Sequence, residues 1–302
     1  MTTPKVSIGM PVYNGEPFIR EALDSILTQT FTDFELIISD NASTDGTEVI
    51  CRDYATKDDR LRYIRHPKNR GVIANFKFVL DEAVGEYFMW AAADDKIKPM
   101  FIERLYNILH EDENLVLVMS DVLNISPDGS FLKISKLDNI RIREVQQNWI
   151  KIRSIFFENP TSQVFFCVYG LFKTQTIKKV DLNYKNRVKY LAGSEIPLLA
   201  QVALLGKIGS TSEVMKVYRR IENSVYNNEK KSTNLMKMLD NHLNLSFCLA
   251  LIVKDAKLPF AEKIKLFQVI AYKCFSRLIK GTYSLCYRKL RRLARSHFIA
   301  LA

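Results

Sequence analysis

Apolar and polar positions recur in two periods along the first half of the chain, and the switches between them lay out its elements. Lys5 to Val12 reads as a first strand. Pro17 to Gln29 changes to helical spacing, with Phe18, Ile19, Ala22, Leu23, Ile26 and Leu27 on one face and Pro17 where a first turn tolerates it. Phe34 to Ser39 is a mostly apolar strand broken only by Glu35, as expected when both faces are largely buried. The polar run Asp40 to Gly46 leads to a helix near Thr47 to Ala55. Leu61 to Arg65 predicts a third strand, and a helix from about Val72 to Ala83 follows the turn Asn69-Arg70-Gly71. Glu86 to Ala92 is a fourth strand, running directly into Asp94-Asp95. Beyond Pro99 a helix covers about Met100 to Leu109, Leu115 to Val122 continues the sheet, and Pro127-Asp128-Gly129 marks a turn.

The second half is less regular. The pattern predicts a helix over Glu144 to Glu158, a strand over Val164 to Phe172, a helix over Glu195 to Leu205 stopped by Gly206, and a last strand over Val214 to Arg220. Beyond about Glu229 only helical patterns remain, and no internal repeat is visible. Strands alternating with helices imply an α/β fold with a mostly parallel sheet covered on both faces. At 302 residues the chain exceeds one growing core, so the expectation is a catalytic-size domain over 1–225 and a helical region over 226–302.

Charge changes the picture at one end. From Lys263 to Ala302 there are ten Lys or Arg and no Asp or Glu, so this stretch carries almost the whole net charge of +11. Within it Ile264, Phe267, Ile270, Ala271, Cys274, Phe275 and Leu278 recur at helical spacing, the pattern of a helix that docks on its own domain or lies in a bilayer interface. Each basic residue near anionic lipid contributes about 1 kcal/mol, so half of this segment's charge suffices for contact with the inner-membrane surface. The five cysteines are an odd number without a close pair, which fits neither a disulfide framework nor a zinc site. Met1 to Lys5 runs straight into a strand without the apolar stretch of a signal peptide, and Leu245 to Val253 is too short to span a bilayer. The expected location is cytoplasmic, with peripheral contact at the cytoplasmic face of the membrane as one use of the basic segment.

Three polar clusters fall at predicted strand ends: Tyr13-Asn14-Gly15-Glu16, Asp40-Asn41 and Asp94-Asp95. Ligands of open α/β sheets gather beyond the carboxyl ends of the strands, so the three are expected to face one crevice. Adjacent carboxylates at the end of a buried strand repel unless a cation or substrate donors offset them. Oxygen ligands suit Mg²⁺ or Mn²⁺, which bridge protein to diphosphate. The alternative for an isolated Asp-Asp pair is two solvated turn residues at a helix start.

The runs Val6 to Asn14, Ala22 to Phe31 and Asp33 to Thr47, followed by Asn69-Arg70-Gly71 and Ala93-Asp94-Asp95, resemble the opening of inverting glycosyltransferase family 2, which has the GT-A fold. The resemblance covers about the first 100 residues, and its specificity lies in the combination. It implies transfer of a sugar from a nucleotide-diphospho-sugar, with a UDP-sugar the expected donor, to a saccharide or lipid-linked acceptor in cell-surface polysaccharide or glycolipid synthesis. It also implies roles: Pro11, Val12 and Tyr13 line the nucleotide base, with Tyr13 stacking, and Asp40 accepts from the base edge. Asn14, Glu16, Asn41 and Asn69 belong to the same nucleotide-sugar site. Asp94 lies near the ribose and diphosphate, and Asp95 with Asp94 holds Mn²⁺ or Mg²⁺. Many relatives carry a further Asp where this chain has Ala93.

Inversion needs a base to take the acceptor's proton. The resemblance places it in an acidic segment about eleven residues before Gly206-Lys207, which gives Glu195, a Glu where Asp is usual. The bland role for Glu195 is a carboxylate complementing a helix N-terminus behind Ser194. Val217 to Arg220 is similar to the family's closing Tyr-Arg segment; no catalytic role is assigned there, and Arg219 is left between diphosphate contact and a solvated strand end. A His often found just after it is Glu222 here. Trp149 is a candidate for stacking on a sugar, Trp90 is expected in the core, and the four histidines are too scattered for a metal cluster.

The chain lacks the Gln-x-x-Arg-Trp motif and spans of processive synthases, so single-sugar addition is expected. Nucleotidyltransferases begin with a Gly-rich basic loop, which Pro11 to Asn14 is not. Two non-enzymatic alternatives remain: an inactive nucleotide-sugar-binding protein, and a nucleic-acid binder using the basic tail, although no nucleic acid is expected as partner.

Overall fold

The computed structural model describes residues 3–137, 163–182, 195–221, 235–272 and 274–276. The helix expected over 144–158, Trp149, Ser194, Glu222 and the basic residues from 277 onward lie outside these residues. Among the described residues the strands are β1 (Val6–Val12), β2 (Phe34–Asp40), β3 (Leu61–Arg65), β4 (Tyr87–Trp90), β5 (Lys96–Ile97), β6 (Leu115–Ile125), β7 (Phe131–Ser135), β8 (Leu171–Lys173) and β9 (Lys207–Arg219). The helices are α1 (Ile19–Leu27), α2 (Thr47–Ala55), α3 (Val72–Asp81), α4 (Phe101–Glu111), α5 (Thr174–Ile177), α6 (Glu195–Leu205) and α7 (Leu235–Asp255), followed by a helix at 260–272.

One sheet joins the strands in the order β3-β2-β1-β4-β8-β6-β9-β5. The first four run parallel, as do β6 and β9. Strand β8 is antiparallel to both β4 and β6 and joins the two parallel halves. Strand β7 takes the edge of β6 beyond β8, pairing Val122 to Ile125. The mixed sheet with flanking helices is the expected α/β architecture. Strand β1 at its centre is buried along almost its whole length, which explains why its sequence does not alternate. Helix α3 lies so close to β1 that a Cβ at Gly9 would come within 2.6 Å of Val79.

Three expectations are revised. Val164 to Phe172 was expected as one strand; the structure has a 3₁₀ helix, Gln163–Tyr169, and only Leu171–Lys173 as strand. An apolar run does not distinguish a strand from a buried helical turn, and here packing of Phe165 and Phe166 on Tyr218 settles it. The last strand begins at Lys207, seven residues before Val214, because its small polar first half is held by the parallel ladder to β6. The C-terminal stripe also divides: Ile270 is buried, together with Leu266 from outside the stripe, whereas Ile264, Phe267, Ala271 and Phe275 are exposed. Leu245, Leu249, Ile252 and Val253 of α7 join Leu266 and Ile270 in the main core, so docking chose which side turned inward. Trp90 is fully buried, as expected, and its indole N–H donates to the Phe76 carbonyl.

Candidate functional site

The ladder sets the site's geometry. Val12 at the end of β1 is level with Asp40 at the end of β2, and Asp40 is level with Arg65 at the end of β3. Strand β4 stops with Trp90 opposite Gly9, so the chain from Ala91 runs on beside the last turn of β1. Ala93 arrives against Gly15, where an added Cβ would lie 3.5 Å from its own. The loop at Tyr13 is in turn laced to the loop after β2. Asn14 N–H donates to Ser43 Oγ, Gly15 N–H to Thr47 Oγ1 and Glu16 N–H to Asp45 Oδ2. In return Asn14 Oδ1 accepts from Thr44 N–H, and Glu16 Oε2 from Gly46 N–H. Asn14 sits at φ +54°, a left-handed conformation that Asn tolerates better than most residues. The three sequence clusters thus meet at one edge of the sheet.

Their side chains divide by exposure. Tyr13 is 51% exposed, with its ring available to a planar ligand, while Pro11 is half-buried and Val12 buried. Asp40 has no exposed surface: Oδ1 accepts from Ser43 N–H at 2.8 Å and Oδ2 from the Tyr63 hydroxyl at 2.6 Å. The expected contact from Asp40 to a base edge is therefore not open in this conformation; the carboxylate braces the loop floor. Asn41 is similarly engaged, accepting from Arg70 N–H and donating to Asn69 Oδ1. Asn69 also accepts from Gly71 N–H, at a turn where φ +84° requires glycine.

His66 supports the same floor, its backbone N–H donating to the Asp40 carbonyl. Ser39 Oγ donates to Asn75 Oδ1 and so accepts from His66 Nε2–H, leaving Nδ1 to accept from Arg70. A proton on Nδ1 would face the guanidinium, and burial followed by Arg70 lowers the imidazole pKa below its ordinary value. A depressed pKa gives stability that is present above the unfolded-state value near 6.5 and lost as pH falls through the folded one. Unfolding free energies from urea titrations between pH 7.5 and 5.5 are expected to fall by up to about 1.4 kcal/mol per pH unit from this group. His66→Gln is expected to flatten that slope, and an unchanged slope would contradict the assignment.

Asp94 and Asp95 face different surroundings. The Asp95 carboxylate is buried: Oδ1 accepts from Arg219 N–H at 2.9 Å, and Oδ2 lies 2.9 Å from the Lys216 ammonium. No hydrogen bond of good direction reaches Oδ2, so the contact with Lys216 is one of charge. Asp94 is half-buried, and its backbone carbonyl accepts from Arg219 Nε. Burial first, and then the like charge of Asp95, push its pKa up to about 6, against the opposing Lys216 and Arg219. Burial, with the negative fields of Asp95, Asp94 and Glu195, likewise raises the Tyr169 phenol. The charge of Glu195, the first residue of α6, thus bears on the same tyrosine as the Asp pair.

Sequence reasoning missed Lys216 and misjudged Arg219. Arg219 is not a solvated strand end. It is 3% exposed, donates to the Asp94 and Pro127 carbonyls and to Glu21 Oε2, and stacks 4.4 Å over Phe18. The available signal was a lysine inside the apolar run Met215 to Tyr218, where a charge needs a buried partner.

The family model described as Glycosyl transferase family 2 matches residues 7–176, more than half of the chain. The chain belongs to this family. Relatives include the putative glycosyltransferase EpsE of Bacillus subtilis, 35% identical over 121 residues that cover 40% of this chain and 44% of that protein. An uncharacterized glycosyltransferase of Methanocaldococcus jannaschii is 30% identical over 153 residues, covering 50% and 53%. One of Rickettsia felis is 35% identical over 140 residues, covering 45% and 23%. The matched part of the chain thus spans from about a quarter to about half of these relatives' lengths. Among solved structures, S. aureus TarS 1-349 in complex with UDP matches at a TM-score of 0.65 and 18% identity, over 90% of this chain and 72% of that one. The mannosyltransferase PcManGT from Pyrobaculum calidifontis, in complex with GDP-Man and Mn²⁺, matches at 0.54 and 17%, over 97% and 81%. At such identities the likeness speaks to the fold, which is GT-A.

Proposed function

We propose that this family 2 member moves a sugar from a nucleotide-diphospho-sugar to an acceptor hydroxyl by one inverting displacement. The observation that carries the reading is an exposed Tyr13 and the half-buried Asp94 brought to the carboxyl edge of the sheet, with Glu195 bearing on the same Tyr169 as the Asp pair. Tyr13, with Pro11 beside it, stacks on the base; Asp94 faces the ribose and diphosphate. Asn14, Glu16, Asn41 and Asn69 hold the loops, since their polar atoms are spent between them. Glu195 takes the acceptor's proton as its oxygen bonds to the anomeric carbon. The bond from that carbon to the phosphate oxygen breaks, and the nucleoside diphosphate leaves with the electron pair.

Mn²⁺ or Mg²⁺ is the cofactor the family resemblance implies, held by Asp94 and Asp95. Asp94 fits such a role. Asp95 does not, because its two oxygens already face a backbone N–H and an ammonium, so no step is routed through a metal.

Tyr13→Ala tests the donor site directly. Loss of a stacked ring costs about 1–3 kcal/mol, so affinity for UDP or GDP by calorimetry is expected to fall roughly 5- to 150-fold. An unchanged affinity would move the base elsewhere.

The acceptor is proposed to be a saccharide, free or lipid-linked, in surface polysaccharide or glycolipid assembly. Exposed Phe247, Phe260, Phe267, Tyr272 and Phe275, together with the basic run from Lys263, support contact with an anionic bilayer surface. Among the described residues no helix is long and apolar enough to cross a membrane. Co-sedimentation with phosphatidylserine vesicles, weakening as salt rises, is the expected result; equal binding to neutral vesicles would exclude charge as the cause.

A further inference from the structure

Lys216 lies near the end of β9 with a side chain only 2% exposed, a position in which a cation is costly unless paired. Its partner is set by the sheet. Strand β5, which begins one residue after Asp95, pairs Lys96 with Val217 and Ile97 with Lys216, and Lys98 N–H donates to the Met215 carbonyl. This short ladder pins Asp95 beside β9 and brings Oδ2 to 2.9 Å from Lys216 Nζ. The Tyr169 ring lies beneath the ammonium, with its centroid 4.8 Å away, and completes the enclosure.

A divalent ion on the same oxygen would sit at about 2.0–2.2 Å, against a fixed positive charge that has no solvent to retreat into. The charge it would bring is already present. Lys216 and Arg219 set two buried positive groups against the Asp94-Asp95 pair, while Glu21, which Arg219 also contacts, is matched by Lys96 at 2.8 Å. Among the described residues, no group of three or more His, Cys, Asp or Glu side chains is arranged to hold a metal.

We propose that Lys216 is the resident cation of this site, standing where Asp95 would hold a divalent ion, and that the chain binds its nucleotide donor without metal. The inference rests on the donor-site reading above, and the test separates the two. In the full chain, the electron paramagnetic resonance signal of free Mn²⁺ is expected to be undiminished by added protein. Affinity for UDP or GDP is expected to change less than about threefold between EDTA and excess Mn²⁺. Uptake of Mn²⁺ by the free protein, or nucleotide affinity that rises tenfold or more with Mn²⁺, overturns the role of Lys216 and leaves the donor site standing. Failure of both nucleotides to bind in either buffer removes the donor site and this proposal with it. Lys216→Met keeps the buried stem and removes the charge; nucleotide affinity in EDTA is expected to fall about tenfold and to return with Mn²⁺. A folded Lys216→Met chain still indifferent to Mn²⁺ also overturns it. If that variant does not fold, the wild-type titrations decide.

Discussion

Glu195→Gln is expected to remove sugar transfer, by about 10²- to 10⁴-fold in kcat, while nucleotide affinity stays within about twofold of wild type. The substitution keeps shape and hydrogen-bonding length and deletes only the capacity to take a proton. Glu195 opens α6, where the helix dipole favours a negative charge, and its charge bears on Tyr169 together with those of Asp94 and Asp95. A carboxylate that only complemented the helix end would contribute about 0.3–1 kcal/mol to stability and nothing to turnover. Measuring product formation and nucleotide binding on the same preparation separates the roles. A Gln variant with wild-type turnover and a slightly lowered melting temperature would make Glu195 a helix-end residue.

Arg219→Met is expected to cost about 2–3 kcal/mol of folding stability, read as a lower urea midpoint. The ion pair with Glu21 contributes little, because that carboxylate is half in water. Most of the cost comes from the part-buried hydrogen bonds to the carbonyls of Asp94 and of the exposed Pro127, at about 1 kcal/mol each. Loss of the guanidinium stacked on Phe18 adds to it. Lysine does not replace it, since one ammonium does not span two carbonyls and a carboxylate held in fork geometry. Because Arg219 ties the Asp94 loop to α1 and to the turn at Pro127, the variant is also expected to bind nucleotide more weakly. A loss below about 1 kcal/mol would show that the clamp is dispensable.

Residues that set the secondary structure are more legible in the sequence than residues that set the interior of the site. Strands β1 to β4 and helices α1 to α4 follow from local periodicity, and their limits in the structure lie within a few residues of expectation. The strand-end clusters at Tyr13, Asp40 and Asp94 were visible for the same reason, since polar residues that interrupt a buried run mark its end. Strand β5 is two residues long, too short for any period, and β7 shows an apolar run to solvent because it only caps an edge of β6.

The interior of the site was a different matter. Whether Asp40 faces a ligand or a hydroxyl, and whether Asp95 faces a metal or a lysine, depends on side chains from other strands. Tyr63 and Lys216 reach those carboxylates only once the ladders are in register. Order and spacing along the chain therefore determined the α/β fold, the family and the list of acidic residues, because apolar burial acts locally and at fixed period. Only the tertiary structure decided which of those acids are open and which are already neutralised, because Coulomb and hydrogen-bond energies depend on distances that residues far apart in sequence acquire by folding.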